Sequence, residues 1–173
     1  MSACRIALPG GLVALVSEQD FGRTSARRWH VIRGRSGLRY AMTTWRRGPG
    51  LKQAGLYLHR FVACALPGQV IDHRDGDGLN CTRENLRYCT VTDNCRNRTN
   101  NRSAFKGVTR GNGTGVWRAY IYAGELKADG SRKRVDLGTF SDSVAAARAY
   151  DMAAVAAFGE FAKLNFPLPA GDE

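Results

Sequence analysis

Alternation of apolar and polar side chains is clearest late in the chain. In residues 115–123, GVWRAYIYA, it sends Trp117, Ala119 and Ile121 to one face and Arg118, Tyr120 and Tyr122 to the other, the period-two pattern of a half-buried strand. Residues 133–140, KRVDLGTF, repeat it, with Val135 and Leu137 facing one way and Arg134 and Asp136 the other. The period then becomes helical in SDSVAAARAYDMAAVAAFGE, residues 141–160. Asp142 is the expected N-cap and Gly159 lies near the expected end, with Ala146, Ala149, Tyr150, Ala153 and Ala157 on one stripe. Alanines on that stripe let the helix lie close to a three-stranded sheet.

Upstream, residues 5–62 alternate short apolar runs with Gly and Arg clusters: RIAL, LVALV, RWHVI, RYAMTTW and LYLHRFV. These predict short strands, the last with a helical alternative. Pro67-Gly68 punctuates the chain before QVIDH, a brief strand ended by the turn-rich RDGDG. LRYCT reads as a second strand, after which Thr90 or Thr92 caps a helix through DNCRNR. TNNRSA, residues 99–104, is polar enough for a linker. The expected class is α+β. A strand-rich segment (1–50) precedes a strand–loop–strand–helix unit (51–98), and beyond the linker come a sheet-and-helix unit (105–167) and a tail (168–173).

Charge adds a partner to this outline. The chain of 173 residues carries a formal net charge of +11, and residues 1–50 hold nine basic against two acidic side chains, so the excess is concentrated early. That imbalance predicts a polyanionic partner, above all nucleic acid. The five cysteines include no C-x-x-C pair, which excludes the usual zinc and disulfide frameworks and implies reduced thiols and a cytoplasmic setting. Pro9-Gly10-Gly11 interrupts the apolar start, so no signal peptide is expected, and no run approaches membrane-spanning length.

The stretch VIDHRDGDGLNCTRENLRYCTVTDNCRNR, residues 70–98, holds the candidate chemistry. Phosphodiester hydrolysis needs an activated water and a cation that neutralises charge on the phosphorane-like transition state. Asp72, His73, Asn85 and Asn94 are residues of the right types, arriving on strand, loop and helix. Strict alternation points Asp72 and His73 to opposite faces, so this reading requires the strand to break near His73. Two other readings compete. His73, Asp75, Asp77, Gly78 and Glu84 fall at the offsets of a calcium loop, which fails at its first position, where histidine replaces an oxygen ligand. A polar turn with asparagine caps leaves the Asp-His pair and its basic surroundings without a reason.

The segment LHRFVACALPGQVIDHRDGDGLNCTRENLRYCTVTDNCRNR resembles the HNH nucleases of the ββα-metal class, specifically the phage-type, free-standing homing endonucleases. The resemblance implies that His73 is the general base, that Asp72 and Asn94 bind one divalent metal ion, Mg²⁺ with Mn²⁺ as a substitute, and that Asn85 orients the His73 ring. His59 matches a recurrent family position and is an accessory candidate, set against the alternative of a buried, hydrogen-bonded histidine. Arg60 beside it is a candidate phosphate contact. A host cell infected by phage is the implied setting.

Residues 105–167 are similar to the Apetala-two domain of plant ethylene-response factors, most specifically in LGTF, AAARAYDMAA and LNFP. That resemblance implies a three-stranded antiparallel sheet laid in the DNA major groove, with Lys106, Arg110 and Arg134 as basic contacts. Arg118 joins them from the alternation. Lys106 and Val108 share strand parity yet need opposite roles, so either Gly107 sits at a bulge or twist or Lys106 is not a contact. Tyr120, Tyr122 and Asp136 depart from the plant pattern, so the plant target sequence is not carried over. Together these features predict an HNH endonuclease acting on double-stranded DNA, with no membrane and no small-molecule cofactor. The alternatives are a sequence-specific DNA-binding regulator without nuclease activity and a nuclease directed at RNA.

Overall fold

The computed structural model describes residues 2–34, 37–46, 53–97, 104–112, 115–126, 128, 130 and 132–167. All of the expected linker except Ala104, and the whole tail 168–173, lie outside them. The architecture is α+β, and the chain divides into two compact units, Met1–Asn94 and Cys95–Glu173. Among the described residues no helix is long and apolar enough to cross a membrane.

The first unit opens with an antiparallel hairpin of β1 (Ala3–Ala7) and β2 (Val13–Ser17), joined through a 3-10 turn. Helix α1 (Glu18–Ser25) follows, where strands alone were expected. Glu18 and Asp20 in its first turn suit the positive end of the helix dipole. Strands β3 (His30–Arg33), β4 (Arg39–Arg46) and β5 (Gln53–Tyr57) form an antiparallel sheet, and helix α2 (Leu58–Val62) follows at once, so LYLHRFV is strand then helix. Next come β6 (Val70–His73), β7 (Asn80–Cys81), β8 (Leu86–Cys89) and helix α3 (Val91–Arg96), the expected strand–loop–strand–helix order. Thr90 caps α3: its hydroxyl accepts from the Asp93 amide at 3.1 Å, and the Asp93 carboxylate reaches back to the Thr90 amide and hydroxyl.

One core holds these elements together. Ala14, Val16, Trp29 and Ala41 are buried with Leu58, Val62, Leu79 and Cys81 in a single cluster, so residues 1–50 share their interior with the strand–loop–strand–helix unit. Strand β7 also pairs parallel with β2, Leu15 opposite Asn80 and Val16 opposite Cys81, which fixes the β6–β8 connection to the N-terminal hairpin. Gly78 serves the same junction. A Cβ there would lie 2.4 Å from the Arg39 carbonyl and 2.6 Å from the Tyr40 ring, so only glycine admits so close an approach of loop to strand.

In the second unit β9 (Val108–Arg110), β10 (Trp117–Leu126) and β11 (Arg132–Phe140) form an antiparallel sheet in the order β11-β10-β9, covered by helix α4 (Ser143–Phe158). Asp142 is its N-cap, accepting from the Ala145 amide at 3.0 Å, and Gly159 ends it. The buried stripe is Ala146, Ala147, Tyr150, Asp151 and Ala154, while Ala157 is exposed, a correction to the expected stripe. Asp151 explains the shift. Its carboxylate accepts from the backbone amides of Asn165 and Phe166 and from the Asn165 side-chain nitrogen, while the Asn165 side-chain oxygen Oδ1 accepts from the Lys106 amide at 2.6 Å. The helix therefore turns Asp151 inward to hold the LNFP segment.

Candidate active site and nucleic-acid interface

Strands β6 and β8 pair antiparallel, with Asp72 opposite Arg87 and His73 opposite Leu86. Arg87 donates to Asp72 Oδ2 from Nε at 2.9 Å and from its terminal nitrogen at 2.7 Å, and each side chain is only 6% exposed. The candidate metal ligand thus sits in a buried ion pair. His73 ends the strand, as the nuclease reading requires: the chain turns there, Gly76 N donating to the His73 carbonyl and Arg74 N to the Asn85 carbonyl, each at 2.9 Å.

The His73 ring lies in an aromatic cluster. Its centroid is 5.0 Å from that of His59, edge to face, and 6.0 Å from that of Tyr40, and the Cys81 sulfur approaches Nε2 at 3.9 Å. Tyr57 packs on His59 at 5.3 Å. Burial lowers the His73 pKa despite the opposing pull of Asp75, Asp72 and Asp77, which favours the neutral imidazole. His59 is pushed down to about 3, first by burial and then by His73 and Arg60. The residue is part-exposed, and its buried Nδ1 has no hydrogen-bond partner, so it is not the buried, hydrogen-bonded histidine of the alternative reading.

Asn85 is buried, and its side chain is bonded into the loop. Its side-chain nitrogen donates to Asp75 Oδ1 at 2.9 Å and to the Asn80 carbonyl at 2.7 Å, and its oxygen accepts from the Asp75 amide at 3.0 Å. Asp75 and Asp77 spend carboxylate oxygens on loop amides, as turn-forming aspartates do. Asn94 is half-buried in the helix, its amide bonded to the Thr90 carbonyl at 3.1 Å. The Cys89 thiol stands at the Asn94 backbone and is pushed up to about 11, chiefly by burial, with Asp72 adding to it. Arg60 is drawn into its own loop, donating to the Gln69 carbonyl at 2.6 Å and the Leu66 carbonyl at 2.7 Å.

On the second unit, Ala119 and Ile121 are buried under α4 with Trp117 packed beside them, and Arg118 and Tyr122 are exposed on the opposite face. There the Arg134 guanidinium lies 4.2 Å from the Tyr120 ring centroid, and Tyr120 meets Tyr122 edge to face. Arg110 pairs with Trp117 across β9–β10, so by parity it belongs to the helix side of the sheet, and Thr109, opposite Arg118, shares the outer face. Lys106 is partly buried. Its ammonium donates to the Arg96 carbonyl, and burial lowers its pKa to about 8 with Lys163 contributing. Gly107 has φ +73° and a Cβ there would fall 1.9 Å from the Tyr150 ring, so glycine alone fits the backbone twist at this position.

Sequence reasoning missed Tyr40, Tyr57 and Arg87. Arg87 was open to detection once β6 and β8 were paired, because aligning their two ends sets it opposite Asp72. No local signal brings Tyr40 to His73, since β4 reaches it through the fold.

This geometry agrees with the family comparison: residues 57–96 match the HNH endonuclease family. The C-terminal region is similar to plant transcription factors. The ethylene-responsive transcription factor ERF069 of Arabidopsis thaliana is 40% identical over 103 residues, 60% of this chain and 63% of that protein. The AP2-like ethylene-responsive transcription factor At1g79700 of the same plant is 42% identical over 74 residues, 41% of this chain and 24% of its own length. Ethylene-responsive transcription factor 3 of Nicotiana tabacum is 52% identical over 48 residues, 28% and 21% respectively. The chain spans less than two thirds of each of these relatives.

Proposed function

We propose that the chain is a metal-dependent HNH endonuclease of the homing type that hydrolyses phosphodiester bonds of double-stranded DNA and is targeted by its C-terminal sheet. The observation that carries this reading is His73, neutral and buried at the end of β6 beside Asp72, within the segment that matches the nuclease family. His73 takes a proton from the attacking water. Asn85 orients the His73 ring, and its side chain also ties down the Asp75 backbone two residues on. Asp72 and Asn94 are oxygen donors of the kind a hard divalent cation such as Mg²⁺ or Mn²⁺ prefers. The Arg87 bonds to Asp72 described above both fall on Oδ2, and a carboxylate offers about four lone-pair sites, so pairing and metal ligation are compatible. An ion held there supplies charge neutralisation at the reacting phosphate.

Arg118 and Arg134 on the outer sheet face supply phosphate contacts, joined by Arg110, exposed at the end of β9, and Tyr120 and Tyr122 supply flat apolar surface against the groove. Arg60 adds a phosphate contact near the histidines through guanidinium donors its loop does not use, and Lys106 supports the unit from inside. Phage-encoded action in the cytoplasm of a bacterial host fits the homing type. A second reading, a DNA-binding regulator without nuclease activity, draws on the similarity to transcription factors and on the Arg87 pairing of Asp72. A plasmid-nicking assay with Mg²⁺ or Mn²⁺ decides between them. His73→Ala is expected to lower cleavage by ~10²–10⁴ with DNA affinity retained, and unchanged cleavage by that variant overturns the nuclease reading.

A further inference from the structure

His59 has a ring that the fold holds firmly and a nitrogen that it leaves unanswered. The ring is wedged among Tyr40, Tyr57 and His73, with centroids 5.8, 5.3 and 5.0 Å away. Of its polar atoms only Nδ1 is both buried and without a partner, while the residue as a whole is part-exposed. A neutral imidazole carries one N–H and one lone pair, and the surroundings decide which nitrogen holds which. Orphaned buried N–H groups are rarer than under-satisfied acceptors. Nδ1 is therefore the lone pair, and the proton is on Nε2.

We infer that His59 is a second catalytic histidine of the nuclease site, a neutral Nε2–H donor that hydrogen-bonds an oxygen of the scissile phosphate beside the general base His73. The inference rests on the nuclease reading and deepens it. A fixed donor aimed at a phosphate oxygen strengthens its bond as charge grows there in the transition state, and the packed ring needs no reorganisation to make it. Burial keeps His59 uncharged, so it donates without adding a second cation beside His73.

Two measurements on the full chain test this. Nitrogen-15 NMR of the histidine rings should find His59 as the Nε2–H tautomer, a readout that requires no activity. In Mg²⁺-dependent plasmid nicking, His59→Gln places its amide nitrogen near the Nε2 position, whereas His59→Asn places it near Nδ1 and His59→Phe keeps only the ring. His59→Gln should stay within about tenfold of the unaltered chain, with His59→Asn and His59→Phe lower in kcat by ~10²–10³ at unchanged DNA affinity and melting temperature. An Nδ1–H tautomer overturns the inference, as does equal activity in all three variants or equal loss. Should the phenylalanine variant fail to fold, the Gln-to-Asn ratio and the tautomer still decide it. Absence of cleavage by the unaltered chain overturns the nuclease reading and this inference with it, whereas cleavage with the wrong variant order overturns the inference alone.

Discussion

Arg87 does two opposed things to Asp72. It neutralises a carboxylate that is almost fully out of water, and it occupies the group the proposed cation would use. Removing one member of a buried pair leaves the other charged and unsolvated, at a cost of ~3–5 kcal/mol. Arg87→Ala should therefore lower the unfolding free energy of the first unit by about that amount, read by denaturant titration. Arg87→Lys should lose less, because an ammonium keeps the charge while giving up the two guanidinium bonds on Oδ2. A loss under ~1 kcal/mol for the alanine variant would mean that water reaches Asp72. Lys106 makes a related point about reading single residues. Its family position suggests a DNA contact, but its ammonium donates to the Arg96 carbonyl within the same unit.

Between elements, a polar link of the first unit is centred on Asp20. Its carboxylate takes two bonds from Arg83, at 2.7 and 2.9 Å, and two from Arg23, at 2.9 and 2.6 Å. Arg23 also donates to the Phe61 and Val62 carbonyls, and the Ser17 hydroxyl accepts from the Arg83 amide, so α1 ties the end of α2 to the turn that carries Asn85. Arg83 above all holds the Asp20 pKa below its ordinary value. The stability from a depressed carboxylate is present above its unfolded pKa of ~3.9 and is lost as pH falls through the folded value. Asp20→Asn should therefore be less stable at neutral pH and should show a shallower loss of stability below about pH 4, followed by circular dichroism. An acid slope identical in the two proteins would place the acid sensitivity on other groups. The Arg83 half of this link was not legible in the sequence, because Asp20 and Arg83 are 63 positions apart, and the Arg23 half, three positions away, needed helix α1 to be recognised first. What was legible was local. Alternation in β10, the Asp142 cap and the strand–loop–strand–helix order each depend on residues a few positions apart. Helix α1 and the two-residue strand β7 escaped because tertiary contacts stabilise them, the latter by pairing with β2.

At the scale of the molecule, the chain joins a unit with an internal histidine cluster to one with an exposed basic and aromatic sheet face. The second unit begins at Cys95, ten residues ahead of Phe105, where the sequence pattern places its start. Arg96 explains why those added residues matter: its guanidinium lies 4.7 Å from the Phe158 ring centroid at the end of α4, and its carbonyl receives the Lys106 ammonium. A fragment of residues 95–167 should accordingly fold with a higher melting temperature than one beginning at 104, which lacks both contacts. If the outer sheet face binds DNA, the longer fragment should bind duplex DNA with an affinity that falls steeply as salt rises, because each phosphate contact releases about one counterion. Replacing Arg118 and Arg134 with Ala should weaken binding and flatten the logarithmic salt slope by roughly two units. The fold should survive, since both side chains are exposed on the face away from α4. Replacing Tyr120 or Tyr122 should leave the slope alone and change the preference among target sequences instead. A folded fragment with no DNA affinity at low salt would remove the targeting role from this unit and leave target choice to the nuclease unit itself.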